Sequence, residues 1–420
     1  MARGRSLAWA VVIAAALCPW AGGLTQGRGH LHAPPALAGT APATLADAVT
    51  AAWARYPRQQ VLNTRQEEAQ ALAERARSLI AGQPDVFGRY QTDQVGSQDG
   101  LEEMELNLSL PVWRSGQRGA EASVAQATAD AVSQSGRAFR LLVAGEVRER
   151  VWEAALADNA VQLAEQELAT ARALQKDLDR RVAAGELPRA DLLLARQDTL
   201  ARESALVQAR AEALHARERY TRLTGLEQLP EQRAETRVDR DEIPPDHPLL
   251  AESEAGVSEA LTRLAVARYN AGGTPILMLG AKRQRSDDRT PYDNSVQVGV
   301  TVPLELSAHS RPAVAGAARV VSEAEAGREA LRRELDGALH EVWHELEATE
   351  EQLALAREQA RVAQETLRLA RIAFASGEDD LVSLLRAQGQ AFATQRAERR
   401  LEFERLLGIA RYNQALGELP

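Results

Sequence analysis

His340-Glu341-Val342-Trp343-His344 is the one stretch of this sequence whose residue types and spacing could do covalent chemistry. Two imidazoles one helical turn apart can hold zinc, with the glutamate between them as general base. The flanking residues argue against that use. Leu339, Val342 and Leu346 keep the spacing of a helix-packing seam, which puts both histidines on its flank, and neither a third histidine nor a glycine turn follows. His30 and His32 stand in a Gly/Pro-rich stretch and read as bystanders. A glycine-rich phosphate loop and a nucleophile elbow are also missing, so no catalytic residue, cofactor site or metal site is expected. The remaining group is Glu378-Asp379-Asp380, three carboxylates in a row after Gly377. Such a run attracts cations without transforming them.

The elements that carry these residues are two helical hairpins bent at glycine. A long helical pattern stops at Gly185 and a second leaves from Asp191; the same happens at Gly377 and Leu381. Glycine after the last turn supplies a left-handed cap, and acidic residues then favour the positive start of the next helix. The hairpins are copies. Gly377 follows Gly185 by 192 residues, and the same offset links Pro111 to Pro303, Tyr220 to Tyr412 and Gly225 to Gly417. Upstream the offset is 191, linking Pro57 to Pro248 and Pro84 to Pro275. An internal duplication is the reading.

Each copy opens with a helix and then changes texture. Met104, Leu106, Leu108 and Leu110 alternate with Glu103, Glu105, Asn107 and Ser109; Val296, Val298, Val300 and Val302 alternate with Ser295, Gln297, Gly299 and Thr301. Period two predicts β-hairpins over residues 84–112 and 275–303. After Pro111 and Pro303 the spacing turns helical, with Leu331, Leu335, Leu339, Val342, Leu346, Leu353, Ala356, Ala360, Ala363, Leu367, Ala370 and Phe374 in a narrow coiled-coil stripe. A helix from about Arg118 to Ala184 would be on the order of 100 Å long, too long for a compact domain. The expected organisation is repeat 1 over 44–225 with its tip at 185–190, a linker over 226–246, and repeat 2 over 247–420 with its tip at 377–380.

Composition agrees. Aromatics make up 4% of the 420 residues, whereas Ala, Glu, Gln, Leu and Arg dominate, the bias of long helices. A net charge of −9 and the lack of a basic stripe exclude nucleic acid as a general partner. Arg3 and Arg5 followed by the apolar run Leu7–Leu17 read as a secretory signal peptide over residues 1–23, with an arm over 24–43; cleavage after Ala21–Gly23 or near Ala38 stays open. Cys18, the single cysteine, follows Leu17 where lipoprotein processing needs a small residue.

An exported chain with apolar strand faces of about 9–11 residues, polar on the reverse, suits an outer-membrane wall enclosing water. Four strands cannot close a barrel, and open edges are not tolerated in lipid. Copies must pool their strands, and a homotrimer with twelve is the simplest symmetric solution. The fold class expected is mainly α with a small transmembrane β part. In it a long coiled-coil α-helical barrel runs continuous with a β-barrel whose lipid-facing residues are Met104, Leu106, Leu108, Leu110, Val296, Val298, Val300 and Val302.

The order helix, hairpin ending in Leu110-Pro111, long helix, Gly185 turn and Asp191-Leu192-Leu193 helix, then all of it again, resembles the TolC family of outer-membrane efflux proteins. The likeness covers nearly all of the chain after residue 43. Leu108-Ser109-Leu110-Pro111 and Val300-Thr301-Val302-Pro303-Leu304 are similar to the CzcC-like branch, which exports metal cations; Glu305-Leu306-Ser307-Ala308-His309-Ser310 departs from that branch. The resemblance implies a trimeric channel in the outer membrane, docked by its tips onto a periplasmic adaptor with a proton-driven inner-membrane pump behind it. It also assigns adaptor contact to Arg181, Gly185, Leu187, Pro188, Asp191 and Gly377. Around a threefold axis Glu378, Asp379 and Asp380 would form an acidic ring able to gate the periplasmic end. A drug-efflux or type I secretion channel and a periplasmic coiled-coil scaffold are the alternatives.

Overall fold

The computed structural model describes residues 44–420. The expected signal peptide, the arm, Cys18, His30 and His32 lie outside the described residues. Thr44 opens helix α1 (Leu45–Arg55) with a capping box, its side chain and that of Asp47 each accepting the other's backbone N–H. Pro57 breaks the helix and starts α2 (Arg58–Arg77). Helix α2 ends at Arg77, well before the first strand. The Ser78 hydroxyl accepts from the Ile80 N–H and donates to its carbonyl, a local turn that competes with the helix.

Strands β1 (Asp85–Thr92) and β2 (Glu102–Pro111) follow, then α3 (Gln117–Ala183) and α4 (Arg189–Thr224). The same order recurs as α5 (Pro248–Asn270), β3 (Ile276–Arg285), β4 (Asp293–Thr301), α6 (Ser307–Ser376) and α7 (Leu381–Ala415). The chain is thus internally duplicated. The four strands form one antiparallel sheet in the order β1-β2-β3-β4, and the central β2–β3 pair, with Leu108 opposite Leu279, joins the two repeats.

Helices α3 and α6 hold 67 and 70 residues, about 100 Å each at 1.5 Å per residue. On the strand side α3 packs between α2 and α5, and α5 packs on α6; on the far side α3 packs on α4 and α7, and α7 on α6. Each tier is one layer of helices with a narrow seam of small and aliphatic residues. Ala144, Val147 and Val151 of α3 receive α1, where Phe139 stacks edge-on against Tyr56 at 5.0 Å.

The segment between α4 and α5 is strapped to both repeats. Tyr220 donates to the Gln228 carbonyl, Asn413 to the Thr236 carbonyl and Tyr412 to the Arg240 carbonyl. Arg148, 1% exposed, holds Glu235 through a fork of two bonds at 2.6 and 2.8 Å and also donates to Gln414. Removing one partner of such a buried pair leaves the other charge uncompensated, at a cost of about 3–5 kcal/mol. Glu235→Ala is accordingly expected to lower stability to urea by about 3 kcal/mol and to expose the strap to protease, whereas Glu227→Ala on the exposed part of the segment leaves both unchanged. A variant as stable and protease-resistant as wild type would show that the strap carries no such load.

Candidate channel wall and helical tips

The sheet has two chemically distinct faces, set by side-chain alternation. Val86, Leu108, Leu279 and Val298 form one cross-strand row, flanked by Leu106, Ala281 and Val296 on one side and Leu110, Leu277 and Val300 on the other. Val298 is 70% exposed, and Val296, Val300, Val302, Met104 and Leu106 are exposed too; Leu108 and Leu110 are half-buried. A contiguous apolar area of this kind marks a surface built to meet an apolar partner. Toward the turns the face changes to aromatic and cationic residues. The Arg283 guanidinium lies 4.0 Å from the Tyr292 ring centre and that of Arg285 4.9 Å, and Tyr90 and Tyr292 both donate to Glu102. Amphipathic rings at the rim of an apolar band are what a membrane interface selects. The opposite face carries Arg89, Glu103, Glu105, Asn107, Lys282 and Gln297. Among the described residues no helix is long and apolar enough to cross a membrane.

At the other end the two hairpin turns lie side by side. Gly185 (φ 79°) ends α3 with paired cap bonds, its N–H to the Val182 carbonyl and the Glu186 N–H to the Arg181 carbonyl. Gly377 (φ 76°) ends α6 the same way, with the Glu378 N–H on the Ala373 carbonyl. A Cβ at either glycine would meet nothing within 4 Å, so both face open space. Beneath them Leu178 and Ala195 of the first hairpin pack with Leu367, Leu381 and Leu384 of the second. Leu187 packs into this cluster instead of facing outward, and Arg181 pairs with Asp177 at 3.1 Å while lying over the Phe374 ring. Pro188 is exposed at the start of α4, and Asp191 sits half-buried in its first turn.

The three acidic residues differ in their surroundings. Asp380 is the N-cap of α7 and accepts the Ser383 N–H at 2.8 Å; that bond, with the Ser383 hydroxyl, holds its carboxyl below the usual range. Asp379 accepts the Asp380 N–H at 2.8 Å, and Glu378 is exposed beside Gly377. His340 and His344 are both exposed on α6 with ring centres 4.4 Å apart. Among the described residues no group of three or more His, Cys, Asp or Glu side chains is arranged to hold a metal.

The family profile described as "Outer membrane efflux protein" matches residues 85–226 and 244–418, which takes in both strand pairs, both long hairpins and both tips. The chain belongs to the outer membrane efflux protein family. It is therefore an outer-membrane efflux channel protein with a large periplasmic helical part, and not an enzyme. Solved efflux channels share its fold. A CusC structure concerned with folding and transmembrane channel formation superposes with a TM-score of 0.73 at 17% identity, covering 90% of this chain and 92% of that one. VceC from Vibrio cholerae gives 0.69 at 16%, covering 89% and 96%, and the open state of MtrE from Neisseria gonorrhoeae gives 0.70 at 16%, covering 90% and 89%. No curated protein matches the sequence.

Family membership makes the four strands this chain's share of a β-barrel and the long helices its periplasmic part. The tip core, with Leu178, Leu367, Leu381 and Leu384, escaped sequence reading, although Leu367 belongs to the coiled-coil stripe and was the available signal. The cap at Asp380 yields a prediction with a definite sign. Because its carboxyl titrates below the ordinary aspartate value of about 3.9, the cap persists above that pH and is lost only as pH falls through the lowered value. Asp380→Ala should speed amide exchange at Ser383 and Leu384 at pH 7, and acidified wild type should approach the variant's rates only below about pH 4. Equal exchange in the two proteins at pH 7 would remove the cap from the account.

Proposed function

We propose that three copies of the chain close into one conduit that passes metal cations from a periplasmic adaptor and an inner-membrane pump to the exterior. The observation that carries this reading is a pair of unpartnered seams. Leu193, Leu200, Val207 and Leu214 recur every seven residues along α4, and Leu355, Val362 and Leu369 do so along α6; all seven are exposed. Strict heptads facing solvent are half of a coiled-coil contact. Helices α4 and α6 are the two edges of the lower tier, with α3 and α7 between them, and they run in opposite directions with respect to the tips. Edge α4 of one copy therefore suits edge α6 of the next. Strands β1 and β4 are likewise the two open edges of the sheet. Joining three sheets gives a ring of twelve strands without exposed backbone, its apolar rows turned toward lipid.

At the periplasmic end the outward-facing Gly185, Pro188 and Gly377 suit contact with an adaptor. Arg181, Leu187 and Asp191 support that contact from below by fixing the shape of the turn. Glu378 and Asp379, repeated three times around the axis, form the acidic constriction, with Asp380 anchoring α7 behind them. The metal reading rests on the strand-to-helix segments ending at Pro111 and Pro303. The run Glu305–Ser310, which departs from the metal-exporting pattern, favours a drug or secretion channel as the second reading. Loss of the gene is expected to raise sensitivity to divalent or monovalent soft metal ions and leave drug sensitivity unchanged; the reverse pattern selects the second reading.

Two variants test the assembly. A Leu200→Cys, Val362→Cys double variant should give a disulfide-linked species of three chains on oxidation in membranes, where each single variant does not. Val298→Arg puts a charge toward the hydrocarbon at a cost of about 2–4 kcal/mol near mid-membrane and should cut outer-membrane assembly sharply. Gln297→Arg, one residue away on the polar face, should assemble normally. Equal assembly of the two arginine variants would contradict the assignment of faces.

A further inference from the structure

The polar face of the sheet holds a closed set of opposite charges. Arg89 of β1, Glu105 of β2 and Lys282 of β3 share one cross-strand row, and Glu103 stands one row nearer the turns. Arg89 lies 2.9 Å from Glu105 and also pairs with Glu103, and Lys282 lies 3.1 Å from Glu103. Two carboxylates meet two cations, and none of the four is left over. The set is braced from below. Asn107, 6% exposed, lies across Gly280 and donates from Nδ2 to Glu105 at 2.9 Å; a Cβ at position 280 would collide with its Oδ1. Asn107 is thus a positioning residue for Glu105. Gln91, Gln284, Ser295 and Gln297 surround the set, and Asp293, exposed at the head of β4, is the other charge in these two rows.

We propose that this belt sets the ion selectivity of the outer part of the pore, with Lys282 and Arg89 masking two of the three carboxylates per subunit so that Asp293 alone is left to favour cations. The inference rests on the channel reading above, which turns this face toward water. Rings of charged side chains filter ions by the charge they present, and paired charges present little. Removing one member leaves one net charge unmatched in the set, once per subunit around the ring. The bare charge reaches far into the lumen at low salt, where the screening length is about 30 Å at 0.01 M against about 10 Å at 0.1 M. A belt that served only to hold the strands together would alter stability without changing the sign of the ions that pass.

Reversal potentials across planar bilayers under a potassium chloride gradient at low salt test this with the full-length channel carrying Glu378→Gln and Asp379→Asn, which remove the acidic constriction in series with the belt. Lys282→Gln leaves Arg89 alone between Glu103 and Glu105, one net negative charge more per subunit, and is expected to raise the potassium-to-chloride permeability ratio about twofold. Glu103→Gln and, independently, Glu105→Gln are expected to lower it, and Lys282→Gln combined with Glu103→Gln should return it to the value of the same channel with its belt intact. All shifts should shrink at 1 M salt. Conducting variants with unchanged ratios, or shifts of one sign whichever charge is removed, would overturn the proposal while leaving the channel intact. A protein that inserts but never conducts even with the acidic constriction removed would instead overturn the channel reading together with the belt that depends on it.

Discussion

An unpaired backbone N–H or carbonyl in hydrocarbon costs several kcal/mol, and a four-stranded sheet has two rows of them. That constraint decides the rest of the molecule. A chain with strands of eight to ten residues, apolar on one face and charged on the other, can neither dissolve its sheet in lipid alone nor keep its valines in water. The edges must be met by other edges, and the sheet's own β2–β3 pairing shows the geometry on which the next copy can continue. Helices α3 and α6 carry the same logic away from the membrane, since each tier is a single layer with two unsatisfied sides.

The duplication supplies both sides of every junction from one gene segment, and the copies have diverged where their surroundings differ. Arg148 of α3 is buried and held by Glu235, whereas His340, its counterpart 192 residues later, is exposed. Pro188 and Asp380 are also counterparts, one a rigid helix start and the other a side-chain cap. The strap meets the two positions differently: Glu235 pairs directly with Arg148 on α3, whereas Asp241 and Glu242 only line an open groove beside His340 on α6.

Much of this was legible in the residue pattern because the relevant signals are local. Alternation at Met104–Leu110 and Val296–Val300 names the strands, over-running β4 only at Val302, and glycine at 185 and 377 names the turns. What stayed hidden depends on contacts distant in the chain. Nothing near Leu187 says that it packs against the second tip, and nothing near Asn107 says that Gly280 makes room for it. Arg148 looks like any exposed helical arginine until Glu235 arrives from 87 residues away. The heptad rows on α4 and α6 are visible as spacing, yet only the structure distinguishes a seam already filled from one still open.

The central claim is that the sheet is completed by other copies of the same chain inside a membrane. Native mass measurement of the mature protein released from lipid nanodiscs tests it most directly. The account predicts a particle of three chains that needs lipid or surfactant to stay in solution. A single chain, stable in water without either, would contradict it.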